Sequence, residues 1–298
     1  MPAIATIGFF DGVHKGHRYL FEQLRMHAAE HDLRALIFTF LQHPRSVLAQ
    51  LKGADAFNPP LLTTLDERER LLGQFGDVHF FDFAEVQPLT AAQFLDYLSD
   101  RWKVKYLLMG YNHHFGSDGR MSDEQYASIA QAVGIRVLRA EPYSEDGERP
   151  SSTRIRNYLS EGNIESANRL LGYEYSLTGR VVHGRMIGRQ IGFPTANIMP
   201  DAAKLVPAAG VYKVRVIVES QKSIVESNVG EKMALVNIGT NPTVGNTHQT
   251  IEVHIPGYDG DLYNQTLTLQ FIERLRSEQR FNSLDELREQ INKDLQRI

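Results

Sequence analysis

The chain has 298 residues, a length that suits two domains, each with its own core. Hydrophobic residues at 42% and charged residues at 23% are ordinary globular usage, which excludes long disordered, collagen-like or low-complexity stretches. Lys and Arg (32) against Asp and Glu (36) leave a net charge of −4, so there is no overall basic field to hold nucleic acid or an anionic membrane, and any phosphate site has to be local.

The absence of cysteine removes disulfides, thiolate metal sites and cysteine nucleophiles, and fits a reducing cytoplasm. Met1 to Ile7 has neither the basic region nor the apolar length of a signal peptide. The longest uncharged segment, Met233 to Ile251, is interrupted by Asn237, Asn241, Pro242, Asn246 and His248 and cannot span a membrane. A soluble cytoplasmic protein with no membrane or nucleic-acid partner is expected.

In chain order, Ile4 to Gly8, Ala35 to Phe40, Val78 to Phe83, Tyr106 to Met109 and Ile135 to Leu138 read as strands. Between them Thr64 with Glu67, Thr90 with Gln93 and Ser122 with Gln125 have capping-box spacing. That alternation predicts a Rossmann-like α/β domain with a parallel sheet. Two closing helices follow, one capped by Ser152, the other by Asn163 with Gly172 after it. From Ser176 the chain turns β-rich, with strands expected at Leu177 to Val182, Val211 to Val218, Met233 to Ile238, Thr250 to Ile255 and Leu267 to Ile272. It ends in a helix with a Ser283–Glu286 box and a stripe of Leu284, Leu287, Ile291 and Leu295. Strands without intervening helices predict an antiparallel sheet or a small barrel, and the boundary between residues 1–174 and 175–298.

The first strand runs into Phe9-Phe10-Asp11-Gly12-Val13-His14-Lys15-Gly16-His17 and then a helical stripe of Leu20, Phe21 and Leu24. Parallel sheets bind ligands at the carboxyl ends of their strands, and a helix start offers free N–H groups to an anion. Gly12 and Gly16 allow close backbone approach, and His14 and His17 can donate to phosphate oxygens. Two surface histidines or a metal pair are the competing readings. Zinc is disfavoured because no further His, Asp or Glu cluster follows at ligand spacing. Ser151-Ser152-Thr153-Arg154-Ile155-Arg156 opens a helix with hydroxyls and an arginine one turn in, either a phosphate cradle or an ordinary cap with solvated arginines.

In the second half, Gly179, Gly184, Gly188 and Gly192 punctuate a stretch holding His183, Arg185 and Arg189 and ending in Phe193-Pro194-Thr195-Ala196-Asn197. This is a phosphate-facing loop or a set of turn glycines; it is no Walker loop. Thr195 and Asn197 carry the hard oxygens that Mg²⁺ accepts. Ile251, Val253 and Ile255 alternate with Glu252, which points away from the core as a solvated residue or a proton acceptor.

Ile7 to His17 resembles the two-histidine nucleotidyltransferase motif of bacterial bifunctional riboflavin kinase/FAD synthetases. Thr39 to Arg45 resembles that family's second segment, with Gln42 where Pro is frequent. Gly110 to Gly116 resembles its Gly-x-Asp-x-x-Phe-Gly segment, with Asn112 in place of the acid, which argues against an ionic or metal role there. Ser151 to Arg156 resembles its Ser-Ser-Thr-x-Ile-Arg motif. Gly179 to Asn197, Gly210 to Tyr212, Asn237 to Thr243 and Glu252 to Ile255 resemble its riboflavin kinase module.

The resemblance implies phosphorylation of riboflavin to FMN by ATP in the barrel, then adenylyl transfer from ATP to FMN in the α/β domain, giving FAD and pyrophosphate. It assigns His14, His17 and Arg156 to charge stabilisation, and Gly12, Gly16, Ser152 and Thr153 to phosphate contacts. Asn112 and Phe115 would meet flavin. Gly184, Gly188, Thr195 and Asn197 would take Mg²⁺-ATP, with Glu252 as general base. Riboflavin, FMN and ATP are the expected partners, no tightly bound organic cofactor is required, and a homo-oligomer is compatible. A chain with one live module, and a non-catalytic flavin- or nucleotide-binding regulator, are the rival readings.

Overall fold

The computed structural model describes residues 1–53, 59–110, 115–119, 121–184, 188, 191–219, 231–243 and 246–298. The chain divides into two compact units, Met1–Ser152 and Thr153–Ile298.

The first unit runs β1 (Ala3–Ile7), α1 (Lys15–Glu30), β2 (Arg34–Phe40), α2 (Pro44–Leu51), α3 (Leu65–Leu72), β3 (Asp77–Phe81), α4 (Phe83–Val86), α5 (Ala91–Trp102), β4 (Val104–Met109), α6 (Asp123–Ala132) and β5 (Arg136–Arg139). All five expected strands are present, paired in parallel in the order β3-β2-β1-β4-β5. β1 is buried throughout. Its alternation sends Ala3, Ala5 and Ile7 into one core with Phe38, Leu95 and Tyr126, and Ile4 into another with Ile37, Phe21 and Leu24. Cores on both faces are what a parallel sheet covered by helices requires. Thr64, Thr90 and Ser122 all form complete capping boxes. The strand order reverses between β1 and β4, so a crevice opens at their carboxyl ends, where the two-histidine segment begins.

The second unit begins in α7 (Ser152–Glu161) and continues with α8 (Ile164–Leu171), β6 (Ser176–Val182), β7 (Ala196–Pro200), β8 (Gly210–Glu219), β9 (Lys232–Thr243), β10 (Asn246–His254), β11 (Thr266–Arg276) and α9 (Leu284–Leu295). The strands close an antiparallel barrel in the order β10-β7-β6-β11-β8-β9. Tyr212, Val214, Val216, Leu267, Leu269 and Phe271 alternate into its core, each at most 1% exposed.

Three details differ from expectation. The barrel has a sixth strand, β7, whose sequence Ala-Asn-Ile-Met-Pro buries only Ile198 and carries no alternation of its own; pairing with β6 and β10 makes it a strand. In α9 the apolar stripe starts at Leu287, because Leu284 is 57% exposed. The Ser283 hydroxyl accepts from Glu286 N, but the Glu286 carboxylate turns to Asn282 N, leaving the box half formed.

The two closing helices pack on the barrel, so the compact units divide earlier than residue 174. Ile164, Ala167, Leu170 and Leu171 of α8 are fully buried. The Asn168 amide donates to the Phe271 carbonyl of β11 and accepts from Tyr175 N, each at 2.8 Å. Ala208 N donates to the Leu159 carbonyl of α7 at 3.0 Å. A fully buried leucine contributes about 1.5–3 kcal/mol, so loss of α8 is a large fraction of a domain's stability. A fragment beginning at Thr153 is therefore expected to melt cooperatively, and one beginning at Tyr175 to melt at a clearly lower temperature, by circular dichroism. Equal melting temperatures would show that the helices are dispensable to the barrel.

Candidate active sites

In the first unit the turn after β1 is built from left-handed residues: Phe10 (φ 54°), Gly12 (φ 79°) and Val13 (φ 36°). Such a path is costly for Phe and Val, so the surroundings have to hold it. Asp11 does so. Its carboxylate, 3% exposed, accepts from Leu62 N, Thr63 N and the Thr63 hydroxyl at 3.0 Å, and Thr63 Oγ1 accepts from Gly12 N at 3.1 Å. The Asp11 carbonyl accepts from the hydroxyl of Ser152, the last residue of this unit, at 2.9 Å. Asp11, Leu62 and Thr63 are functional neighbours that sequence reasoning missed. The only signal was the hydroxyl pair Thr63-Thr64 just before α3.

The turn delivers His14 as the N-cap of α1, its Nδ1 accepting from His17 N at 3.3 Å. The two imidazoles stack with centroids 3.6 Å apart and planes 18° apart. Burial pushes His14 down to about 4, against a smaller opposing pull from Asp11. Burial, with His14 beside it, holds His17 well below the usual histidine range, and His17 Nδ1 is enclosed without a hydrogen-bond partner. At neutral pH the pair is uncharged and can donate hydrogen bonds to an anion. A Cβ on Gly16 would lie 3.2 Å from the His14 ring, so glycine lets the backbone pass there.

Thr153, exposed, and Arg156, half-buried, follow Ser152 on α7, beyond the division between the units. Phe115 is half-buried, its ring 4.7 Å from Tyr126 and 5.7 Å from Phe94. Asn112 lies outside the described residues, as do Arg185 and Arg189. Among the described residues one His and Glu group does converge closely enough for a metal, contrary to the sequence reading: His27, Glu30 and His31, at the opposite end of α1 from the histidine pair.

In the barrel, β7 and β10 pair at only two positions, and one of them sets Asn197 opposite Glu252. Ile251, Val253 and Ile255 are buried and Glu252 faces away from them, as the alternation requires. The Thr195 hydroxyl donates to Glu252 Oε2 at 3.3 Å. Gly184 and Gly188 lie close to this group: a Cβ on Gly184 would collide with the Asn197 amide, and one on Gly188 with the Phe193 carbonyl. His254 Nδ1 donates to the Pro194 carbonyl at 2.9 Å, fixing the approach to Thr195.

Two cavities of about 330 Å³ each share Thr195. The first also holds Asn197 and Glu252 and is walled by Ile191, Phe193, Leu235, Phe281, Leu287 and Ile291. The second is lined by Val181, Pro194, Tyr258, Asp259, Asp261 and Tyr263. Sequence reasoning missed Arg276 and Asp294 in the first. Their buried ion pair, 2.9 Å, fastens α9 to β11 at the cavity wall.

Residues 1–154 match the FAD synthetase family model and residues 171–298 the riboflavin kinase family model. The chain is 37% identical to the bifunctional riboflavin kinase/FMN adenylyltransferase of Escherichia coli (strain K12), covering 98% of this chain and 90% of that one. It is 32% identical to the protein of the same name from Bacillus subtilis (strain 168), covering 99% and 90%. A crystal structure described as a macrolide-efflux protein from Streptococcus pneumoniae superposes with a TM-score of 0.84 at 29% identity, covering 99% of this chain and 93% of that one. Among the described residues no helix here is long and apolar enough to cross a membrane.

Neutral histidines in the folded first unit have a consequence for stability. Ordinary histidines in the unfolded chain protonate below about pH 6.5, whereas folded His14 does so only near 4. The unfolded state therefore binds the extra proton between those values, and stability falls as pH falls from 6.5 towards 4. Urea midpoints followed by the fluorescence of Trp102, the single tryptophan, are expected to drop from pH 7 to 4.5. The drop should be shallower in His14→Asn, which keeps an N-cap. Identical pH slopes would show that folded His14 is already charged.

Proposed function

The chain belongs to the bifunctional riboflavin kinase/FMN adenylyltransferase family, and from that premise we propose how its side chains carry the two reactions. It phosphorylates riboflavin with ATP to give FMN, with ADP leaving, and transfers AMP from ATP to FMN to give FAD, with pyrophosphate leaving. In the barrel Glu252 is the general base. It takes the proton of riboflavin's terminal primary hydroxyl as that oxygen attacks the γ-phosphorus of ATP. The observation that supports this reading is the convergence of Thr195, Asn197 and Glu252 at the wall of a largely apolar cavity, with Thr195 shared by a second cavity. The flavin ring system occupies the first cavity and the nucleotide the second, so that the attacking oxygen and the γ-phosphate meet at Thr195. Gly184 and Gly188 leave room for the phosphates.

Thr195, Asn197 and Glu252 offer hard oxygen donors only, a set that fits Mg²⁺. Thr195 and Asn197 would hold the ion, which when bound supplies neutralisation of phosphate charge.

In the first unit the FMN phosphate attacks the α-phosphorus of ATP in line, a reaction that needs positioning and charge stabilisation rather than a protein nucleophile. His14 and His17 donate to the phosphate oxygens from their neutral forms, and Gly12, Gly16 and the start of α7 at Ser152 supply the cradle. The family resemblance assigns Thr153 and Arg156, a hydroxyl and a positive charge, to phosphate as well, and Asn112 and Phe115 to the flavin. Both reactions take place in the cytoplasm.

Glu252→Gln keeps the shape and removes the basicity. Riboflavin phosphorylation is expected to fall by about 100- to 10,000-fold, while FMN supplied directly still becomes FAD. His17→Ala is expected to give the converse, and EDTA to stop both reactions. Chromatography of the flavins reads all three; a loss of less than about tenfold in Glu252→Gln, below the range for a general base, would reduce Glu252 to a solvated strand residue.

A further inference from the structure

Arg68, on α3, is 1% exposed, among the most deeply buried large side chains of the chain. Arginine is almost never buried so fully unless it is paired, because the charge loses its water. A methionine would fill the space without that cost, so packing alone does not explain a guanidinium here.

Its contacts do. Nη2 donates to the carbonyl of Phe40, the last residue of β2, at 2.6 Å. The guanidinium lies 4.1 Å from the centre of the Phe9 ring, in the segment that leaves β1, and 5.9 Å from that of Phe80 on β3. Phe9 in turn meets His43, the cap of α2, edge to face at 4.7 Å. Burial lowers Arg68 to about 10, opposed by the attraction of Asp11, so it stays charged at neutral pH. One cation thus touches the ends of β1 and β2, at the sheet edge where the ligand crevice opens. It also sits in the field of the carboxylate that holds Gly12 through Thr63.

We propose that Arg68 is a positioning residue for adenylyl transfer, clamping the segments that leave β1 and β2 so that the left-handed turn presents His14 and His17 to the phosphates. The inference rests on the reading of the histidine pair given above. Arg68 touches neither histidine and acts through Phe9, Phe40 and Asp11. A flat guanidinium can lie over Phe9 while donating in its own plane to Phe40; an ammonium has no flat face to do both.

The test uses the full chain with Arg68→Lys and Arg68→Met, and His17→Ala beside them. FAD formation from FMN and ATP gives kcat and the KM values, riboflavin phosphorylation in the same chain measures the other unit, and Trp102 fluorescence reports the fold of the first. Arg68→Met is expected to lose about 10- to 100-fold in kcat for FAD formation, the scale of a small misplacement of reacting groups. KM for ATP and FMN should change by less than about threefold, since uniform binding is untouched. Arg68→Lys should recover part of kcat, and both variants should keep native Trp102 emission and normal phosphorylation. A merely structural role would lower the urea midpoint but leave kcat of the folded protein at the wild-type level, and that overturns the inference. If Arg68→Met does not fold, Arg68→Lys decides: wild-type kcat overturns the inference, and reduced kcat with unchanged KM supports it. Wild-type FAD formation in His17→Ala would overturn the reading of the histidine pair and this inference with it. Its loss, beside unimpaired Arg68 variants, overturns this inference alone.

Discussion

Closure of the barrel through β7 and β10 is the constraint on which the kinase half depends. The seam pairs at two positions only, and one of them places Asn197 opposite Glu252. Thr195 and Glu252, 57 residues apart in sequence, come within hydrogen-bond reach because β7, which follows Thr195 directly, pairs with β10. A seam this short is held by its neighbours, β6 on one side and β9 on the other. Gly184 and Gly188 come close to the same group, where a Cβ on either would meet Asn197 or Phe193.

The α/β half solves a different problem. Its histidine pair follows a turn that Phe10 and Val13 would not adopt alone. Asp11 supplies the restraint from within the turn, and Thr63 and Leu62 supply it from a segment 51 residues away. The outcome is an uncharged, stacked histidine pair at the start of α1, kept neutral by burial rather than by a partner. Neutral donors suit an anion that arrives with its own counter-ion.

Much of this architecture was legible because its signals are local. The five parallel strands and the boxes at Thr64, Thr90 and Ser122 rest on alternation and three-residue spacing. β7 was not legible, since a strand with one buried residue owes its form to neighbours distant in sequence. The same reason hid Asp11, Thr63 and Arg68: each reads as an ordinary loop or helix residue until the fold brings β1, β2 and α3 together. Leu284 shows the opposite failure, because helical spacing continued one turn beyond the surface that α9 covers. The family resemblance puts Thr195 and Glu252 in one site, but their hydrogen bond is legible in neither segment alone. In sequence the helical pair after Ser151 reads as closing the first core, yet Asn168 bonds it to the barrel.

The central claim is that one chain holds two independent nucleotide sites, one in each unit. The most direct measurement is equilibrium binding of a non-hydrolysable ATP analogue with Mg²⁺, by calorimetry, to the full chain and to Thr195→Val and His17→Ala variants. Binding at one site in each unit is expected, with Thr195→Val weakening only the one and His17→Ala only the other. A single site per chain, or both sites lost to either substitution, would contradict it.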